Sequence, residues 1–375
     1  MSCRIYLDHA ATTEMLPEVR SAMEPYLTEE YGNASTSYEM GRRSKEAIEK
    51  ARTEIARMID ADPDEIFFTS GGSESDNWVV KNAKGHVLTT KIEHHAILRS
   101  CQYLESLGQA VTYLDVDESG LVDTAGVVDA LREDTALVSI MMGNNEIGTI
   151  EPIAEIGAVL RGRGIAFHTD AVQAVGQIPI AVSRLPVDFL SASAHKFHGP
   201  KGVGFLYVRN HEKLTSYIHG GSQESGKRAG TENVAGIVGM AEALKISVRE
   251  MQYTLPRIRS LRNYFIERLR HEIADVRLNG HPYKRLPGNV NISIRGIDAT
   301  SLLVLLEEDG ICASAGSACN TGQTRISHVI EAIRVPEDYA AGTVRFTLGR
   351  GTDKKQVDET IESIKRCVHI LRQET

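Results

Sequence analysis

The chain has 375 residues, long enough for a large core and for two domains rather than one. It is 42% hydrophobic and 25% charged, and its net charge of −8 argues against non-specific nucleic-acid binding, which depends on neutralising phosphates. No uncharged apolar run approaches the roughly 18 residues of a membrane helix, and the start has no signal-peptide core, so we expect a cytoplasmic protein that contacts neither membrane nor DNA.

The first two thirds of the chain alternate between helical patterns and short apolar strands. A long amphipathic helix is predicted over Glu39–Ile59. Strands are predicted over Ile66–Thr69, Val87–Thr89, Val111–Leu114, Ala136–Met142, Ile165–His168, Phe189–Ser191 and Gly204–Val208. This alternation predicts an α/β fold with a mostly parallel sheet and helices on both faces. Ligands of such sheets bind beyond the carboxyl ends of the strands, so chemistry is expected just after each strand.

The pattern changes from about residue 232. Two long helices are predicted, near Glu232–Met251 and Leu255–Ile273. They are followed by the predicted elements Asn289–Ile294 (strand), Thr300–Glu308 (helix), Thr343–Leu348 (strand) and a closing helix from Lys354. These elements predict a smaller α+β domain, with a boundary near residue 254.

The first chemical candidate is the turn SGGSES after the strand at 66–69. Its glycines and the helix that follows would let backbone amides converge on a phosphate. A capping turn with Ser73 as the N-cap explains the same residues, and for this motif alone it is the better interpretation.

Asp170 and Lys196 also follow predicted strands. Asp170 comes after Ile165–His168, and it fits a ligand-facing carboxylate and a helix N-cap equally well. Lys196 ends the segment SASAHK after an apolar strand. A lysine withdrawn from water has a lowered pKa and can form a Schiff base, and the apolar context favours this role over a solvated lysine.

Histidine and cysteine residues supply the remaining candidates. His94 and His95 are adjacent, but without HExxH spacing or a third ligand we expect no metal site, and a stacking or acid/base role is favoured. Cys319 lies in a run of small residues that predicts an accessible loop, whereas Cys312 ends an apolar stretch and is expected to be buried. The five cysteines include no CxxC pair, which is typical of a reduced protein.

Together these features suggest pyridoxal phosphate, which needs a phosphate cup, a carboxylate for its pyridine nitrogen and a lysine. The chain resembles cysteine desulfurases of the NifS/IscS-like group, within the class V, fold-type I aminotransferase superfamily. The motifs that carry this resemblance are YLDHAATT (6–13), GNAS (32–35), TSGGSESDN (69–77), EHHA (93–96), NNEIG (144–148), HTDAVQAVGQ (168–177), SASAHKFHGPKGVG (191–204), GGSQESGKRAGTEN (220–233), LPGNVN (286–291), SAGSACN (314–320) and VRFTLGR (344–350).

The resemblance implies a fold-type I architecture and a set of site residues. It implies a large domain over 13–254 with a mostly parallel seven-stranded sheet, and a small domain over 1–12 and 255–375. Lys196 matches the Schiff-base lysine, Asp170 the carboxylate on the pyridine nitrogen, and His94 the stacked acid/base histidine. The residues implied to hold the cofactor are Gly72, Ser73, His94, Asn145, Asp170, Gln173, Ser193, His195, Lys196 and Thr231, the last supplied by the other subunit of a homodimer.

The resemblance also implies the substrate and the reaction. Arg345 matches the arginine that binds the carboxylate of L-cysteine, with Asn33 assisting and Arg350 as the runner-up. Cys319 matches the cysteine that takes the sulfur as a persulfide, releasing alanine, and passes it to an acceptor such as an iron–sulfur scaffold protein. Position 9 is His where tyrosine is common, and position 38 is Tyr where histidine is common.

Three alternative functions are weighed against this one. Another class V activity, such as transamination, would not need Cys319, although selenocysteine would fit as a substrate. An inactive binding protein would be expected to lack Lys196 or Cys319, and both are present. A nicotinamide enzyme would need GxGxxG after its first strand, which the chain lacks.

Overall fold

A computed structural model describes residues 5–315 and 326–373, so Cys319 lies outside the described residues. The strands are β1 (Ile5–Tyr6), β2 (Ile66–Thr69), β3 (His86–Thr90), β4 (Val111–Leu114), β5 (Thr135–Ser139), β6 (Ala166–Asp170), β7 (Phe189–Ser193), β8 (Gly204–Val208), β9 (Val276–Leu278), β10 (Asn289–Ile294), β11 (Ile311–Cys312) and β12 (Thr343–Thr347). The helices are α1 (Pro17–Met23), α2 (Pro25–Thr28), α3 (Glu39–Ile59), α4 (Gly72–Asn82), α5 (His95–Ser106), α6 (Thr124–Asp129), α7 (Ile153–Arg161), α8 (Val234–Glu272), α9 (Ala299–Glu308), α10 (His328–Ala332), α11 (Glu337–Ala340) and α12 (Lys354–Gln373).

A seven-stranded sheet forms the centre of the molecule, in the order β2-β8-β7-β6-β5-β3-β4. Neighbours from β7 to β4 pair in parallel, and only β8 runs against both of its neighbours, β7 and β2. Strands β2, β3, β7 and β8 are buried at every position, as expected for a sheet covered on both faces. The predicted mostly parallel α/β sheet is confirmed.

A smaller antiparallel sheet, β12-β10-β9, lies in the C-terminal part of the chain, and β1 pairs with β11 beside it. Its core includes Phe265 of α8 and Phe346 of β12, both fully buried, with ring centroids 5.4 Å apart. Ile5 of the N-terminal strand β1 and Leu7, which follows this strand, belong to this core. The first described residues therefore pack with the last third of the chain.

Helix α8 corrects one prediction. The two helices predicted on either side of residue 254 are one continuous helix, although Pro256 lies inside it and removes one backbone hydrogen bond. The helix continues because its first half buries Leu244 in the large core and its second half buries Leu269 in the small one. The proposed boundary at residue 254 falls within this helix, so the division into domains stays a prediction.

Several other predictions agree with the structure. Helix α3 spans the predicted Glu39–Ile59 and ends at Asp60, whose left-handed backbone (φ 59°) stops the helix. Strands β2, β4, β8 and β10 have the predicted bounds. None of the described helices has an apolar stretch long enough to span a bilayer.

The small core offers a test of this packing. We expect Phe265→Ala to lower the free energy of unfolding by about 3–5 kcal/mol, because it leaves a cavity against Phe346. Tyr253 lies on the same helix but is 73% exposed, so we expect Tyr253→Ala to lower the free energy of unfolding by less than about 0.5 kcal/mol. Urea unfolding of both variants checks this, and equal losses would contradict the packing described for α8.

Candidate active site

The predicted site residues meet at one edge of the large sheet. Strands β2 to β7 all run in the same direction, so the segments that follow them share that edge. These segments and β12 line a cavity of about 650 Å³. The predicted residues in its lining are Gly72, Ser73, His94, Asn145, Asp170, Gln173, Ser193, His195, Lys196 and Arg345. Asn33 and Thr231 are exposed and lie outside this lining.

Lys196 ends a single 3-10 turn, Ala194–Lys196, that follows β7. Its Nζ donates hydrogen bonds to the carbonyl oxygens of Ala10, at 2.5 Å, and Ala11, at 2.8 Å. Burial and, to a smaller extent, Arg345 lower the pKa of Lys196, and Asp170 opposes them, so that the pKa is about 8. A lysine with this pKa has a large neutral fraction near pH 8, and the neutral amine is the nucleophile.

Asp170 is the last residue of β6, and its side chain is buried in the cavity wall. Its Oδ1 accepts a hydrogen bond from the Val172 N–H at 2.9 Å. The residues that follow form a turn, so the helix-cap interpretation is wrong and the carboxylate faces the cavity. Burial raises the pKa of Asp170, and His94 and the Val172 bond oppose this shift.

His94 is the N-cap of α5. Its Nδ1 accepts a hydrogen bond from the Ala96 N–H at 3.1 Å, so in the neutral ring the hydrogen is on Nε2. The ring is open to the cavity yet surrounded by protein atoms, and this burial lowers its pKa, with Asp170 opposing. His94 is therefore a neutral hydrogen-bond donor toward the cavity near neutral pH.

The turn after β2 corrects another expectation. The N-cap of α4 is Gly71, and Ser73 is the second residue of the helix, so the capping interpretation of Ser73 is wrong. Gly71 has a φ of 145°, and a Cβ on Gly72 would lie 2.5 Å from Val172 Cγ2. Glycine is thus required for the close approach of this turn to the segment after β6. Ser73 and the backbone amides of the first turn of α4 therefore lie where a helix N-terminus favours an anion.

Ser193 and His195 lie on the other side of this turn. Gly71 approaches Ser193 so closely that a Cβ would lie 3.3 Å from the Ser193 hydroxyl. Burial lowers the pKa of His195 to about 4, and Lys196 adds to the shift, so its ring is neutral at pH 7. Its Nδ1 lies 3.2 Å from the Thr12 hydroxyl.

Arg345 lies in the middle of β12 and reaches the cavity from the small sheet. It donates to the Asn145 carbonyl at 2.9 Å and pairs with Asp8 at 2.7 Å. Its buried Nε has no hydrogen-bond partner within the described residues. Arg350, the runner-up, pairs with Glu250 at 2.8 Å and lies outside this cavity. The structure therefore favours Arg345 over Arg350 as the cation of the site.

Gln173 and Asn145 have different surroundings. The side-chain Nε2 of Gln173 donates to the Ala10 carbonyl at 2.9 Å, the same oxygen that accepts from Lys196. Asn145 lies in the loop after β5, and its backbone carbonyl is held by Arg345. Both side chains border the cavity, as expected.

Sequence reasoning missed five carboxyl groups at this site. Glu74, Asp76, Glu93 and Glu146 border the cavity, and Asp8 reaches it through Arg345. Burial raises the pKa of Glu146, whose Oε2 accepts a hydrogen bond from the Ser327 hydroxyl at 2.6 Å. The sequence could have indicated these acids, because each of them lies inside one of the family motifs and, apart from Asp8, close in sequence to a residue that was assigned a role.

The described cysteines differ in exposure. Cys101 and Cys367 are buried, and burial raises the pKa of Cys101 to about 12. Cys312, expected to be buried, is partly exposed at the end of β11. Burial thus makes Cys101 and Cys367 unreactive.

Comparison with known proteins identifies the family. Residues 5–360 match the model of the family described as aminotransferase class-V. The chain is 49% identical to the cysteine desulfurase IscS of Dictyoglomus turgidum, over 99% of this chain and 96% of that protein. It is 47% identical to the cysteine desulfurase IscS of Methanosarcina thermophila, over 98% and 93% of the two chains.

The fold agrees with these relatives. A solved structure of a NifS-like protein superposes with a TM-score of 0.92 at 36% identity, covering 98% of this chain and 100% of the other. The family implies pyridoxal phosphate as the cofactor. The chain therefore belongs to the class-V aminotransferase family, and within it to the cysteine desulfurases of the IscS/NifS-like group.

Proposed function

We propose that this chain binds pyridoxal phosphate, converts L-cysteine to L-alanine and takes the sulfur onto Cys319 as a persulfide. Cys319 then passes it to an acceptor protein, such as an iron–sulfur scaffold. The observation that carries this proposal is the convergence of Lys196, Asp170 and Arg345 on one cavity, with the lysine pKa lowered to about 8. These are the amine, the carboxylate and the guanidinium that the reaction needs.

The residues of the cavity fit the cofactor chemically. The first turn of α4, with Ser73, Ser193 and neutral His195, offers uncharged donors for a phosphate group. Asp170, with its raised pKa, is a strong acceptor for a protonated ring nitrogen. The neutral amine of Lys196 is a nucleophile for an aldehyde carbon. Gln173 and Asn145 supply amides for the ring substituents.

Arg345 is proposed to bind the substrate carboxylate, assisted by Asn33. A guanidinium meets a carboxylate with two parallel hydrogen bonds, and the unpartnered Nε of Arg345 leaves a donor available for one of them. Asp8 pairs with the Nη2 of the same guanidinium at 2.7 Å, so substrate binding competes with or shares this ion pair. The α-carbon of a bound amino acid would then face the half of the cavity that contains Lys196.

Bound pyridoxal phosphate supplies a ring that delocalises the electron pair left when the substrate loses its α-proton. Lys196 and His94 are the groups of this chain that move protons, and His94 presents its Nε2–H as an acid. The Cys319 thiolate attacks the sulfur of L-cysteine. The sulfur–sulfur bond forms while the carbon–sulfur bond breaks, its electron pair goes to the carbon fragment, and protonation gives alanine.

The active form is proposed to be a cytoplasmic homodimer. Thr231 is exposed, and it lies outside the cavity of its own chain, which fits a residue donated to a partner subunit. Two ion pairs hold the loop that carries Thr231. Arg228 pairs with Glu74 of α4 at 2.8 Å, and Glu224 pairs with Arg52 at 2.8 Å. These two ion pairs give the loop a defined position on the surface.

The amine of Lys196 can be tested without cofactor. We expect its acylation rate in the apo protein to rise with pH and to reach half of its maximum at about pH 8, because only the neutral amine reacts. Competitive labelling followed by mass spectrometry measures this. Exposed lysines in the same digest serve as references, since the ordinary lysine pKa is about 10.4. A midpoint above about pH 10 for Lys196 would contradict the lowered pKa.

Cys319→Ser tests the persulfide step. We expect this variant to keep the visible absorption of the bound cofactor and to lose at least about 100-fold in alanine and sulfide formation, because a hydroxyl is a poor nucleophile toward sulfur. Cys312→Ser is the matched control, a partly exposed thiol on β11, and it should stay active. Full activity of Cys319→Ser would refute the proposed sulfur transfer.

Arg345→Lys tests the substrate site. We expect the KM for L-cysteine to rise about 10-fold to 100-fold, because an ammonium group cannot form the paired hydrogen bonds of a guanidinium. Arg350→Lys should leave the KM unchanged, and thermal unfolding of both variants verifies that the fold is intact. If the KM rose in Arg350→Lys and not in Arg345→Lys, the substrate carboxylate would be bound by Arg350 instead.

A further inference from the structure

Asp76 is a buried acid of the cavity wall that the proposed reaction does not use. It lies on α4 and is 1% exposed, and its Oδ1 has no hydrogen-bond partner among the residues that the structure describes. Ligand atoms of Asp76, His94 and Asp170 all lie within 4.8 Å of one another. An ionised carboxylate in such a place would be costly, because burial without partners strongly disfavours the charged form.

Within the described part of the chain, no cation compensates for Asp76 from the sheet side. His168 of β6 has its Nε2 3.7 Å from Asp76 Oδ1. Both ring nitrogens of His168 already contact hydroxyls, Ser139 at 2.8 Å and Ser191 at 3.0 Å. Burial lowers the pKa of His168 to about 3, so its ring is neutral near pH 7.

The other titratable groups around Asp76 favour its neutral form. Asp170 on β6 and Glu93 before α5 are both acids, and each raises the pKa of Asp76 beyond the main effect of burial. His94 is neutral near pH 7 because burial lowers its pKa. A hydrogen bond with the Ser191 side chain acts in the opposite direction and lowers the pKa of Asp76.

Asp76 and Asp170 differ in their access to positive partners. Asp170 accepts the Val172 N–H at 2.9 Å, and the charge of Lys196 favours its ionised form. Asp76 has no such cation among the residues that the structure describes. When two adjacent carboxyl groups cannot both ionise, the proton remains on the group with the poorer partners.

We propose that Asp76 is held as a neutral acid beside Asp170, donates a hydrogen bond to the Asp170 carboxylate and is thereby a positioning residue for it. The proton assignment stands on the apo protein alone, whereas the effect on the cofactor rests on the proposed function. The donated bond favours the ionised form of Asp170 and orients its carboxylate toward the cavity.

Unfolding of the apo protein tests the proton assignment. An acid with a raised folded-state pKa destabilises the fold progressively as the pH rises above the unfolded value of about 4. Relative to Asp76→Asn and Asp76→Ala, the wild-type folding equilibrium constant should therefore fall about tenfold per pH unit above about pH 5, until Asp76 ionises. Either variant suffices if the other fails to fold. Parallel pH profiles for wild type and variants would overturn the proposal.

Glu151→Gln is the control for a buried acid outside the cavity. Burial raises the pKa of Glu151 to about 8, so its removal should also flatten the pH profile of unfolding. It should not change the visible absorption of the loaded protein, because Glu151 is not part of the cavity lining. This variant separates a general effect of buried acids from an effect that passes through Asp170.

The cofactor-loaded protein tests the positioning role. The amide of Asp76→Asn can donate the same hydrogen bond to Asp170. The pH at which the visible absorption of the bound cofactor is half changed should therefore match that of the wild type. Asp76→Ala cannot donate this bond, so the negative charge of Asp170 is less neutralised and stabilises the protonated form of the cofactor more strongly, and the midpoint should rise by about one pH unit. Identical midpoints in Asp76→Ala and wild type would overturn the positioning role. A wild type without a visible band would instead refute the proposed function, and the unfolding test would still decide the proton assignment.

Discussion

The hydrogen bonds from Lys196 Nζ to the carbonyls of Ala10 and Ala11 join the two parts of the molecule at the reactive amine. Lys196 follows a strand of the large sheet, whereas Ala10 and Ala11 continue the segment that begins with β1 beside the small sheet. The same segment pairs Asp8 with Arg345 of β12. Burial of Lys196 between these parts lowers its pKa, so the chemistry of the amine depends on how the N-terminal segment packs across the sheet edge.

Charge balance is the second constraint on this edge. Lys196 and Arg345 bring positive charge into the cavity, while Asp170, Glu93 and Glu146 bring carboxyl groups with raised pKa values. In each case burial is the largest cause, and it disfavours the charged form of acid and base alike. Which groups remain charged is then decided by local hydrogen bonds and neighbouring charges. The wall of the cavity can therefore contain several acidic residues while Asp170 is the one whose ionised form is stabilised most by its neighbours.

The sequence predicted the sheet well because its strands are short apolar runs bounded by turn residues, as in β4 and β8. It failed at Ser73, where N-cap preference indicates a helix start but the structure places Gly71 at the cap, and it left two interpretations of Asp170 open, which the structure decides by placing a turn after it. It also predicted two helices where α8 is one, because apolar periodicity does not show that the first half packs in the large core and the second half in the small core. Asp8 and Asp76 have no periodic signal, because their surroundings come from strands and helices that are distant in sequence.

In the proposed function, the two ends of the cavity bind anions by different means, and this difference would orient the substrate. At the α4 end the donors include hydroxyls, backbone amides and the neutral ring of His195, whose pKa is lowered to about 4, and Lys201 also borders the cavity. At the β12 end the donor is the guanidinium of Arg345, balanced by Asp8. A phosphate suits the helix N-terminus, and a single carboxylate suits a guanidinium whose charge is already partly neutralised. In the proposed function, an amino acid held by Arg345 would turn its α-amino group toward Lys196, which borders the same cavity.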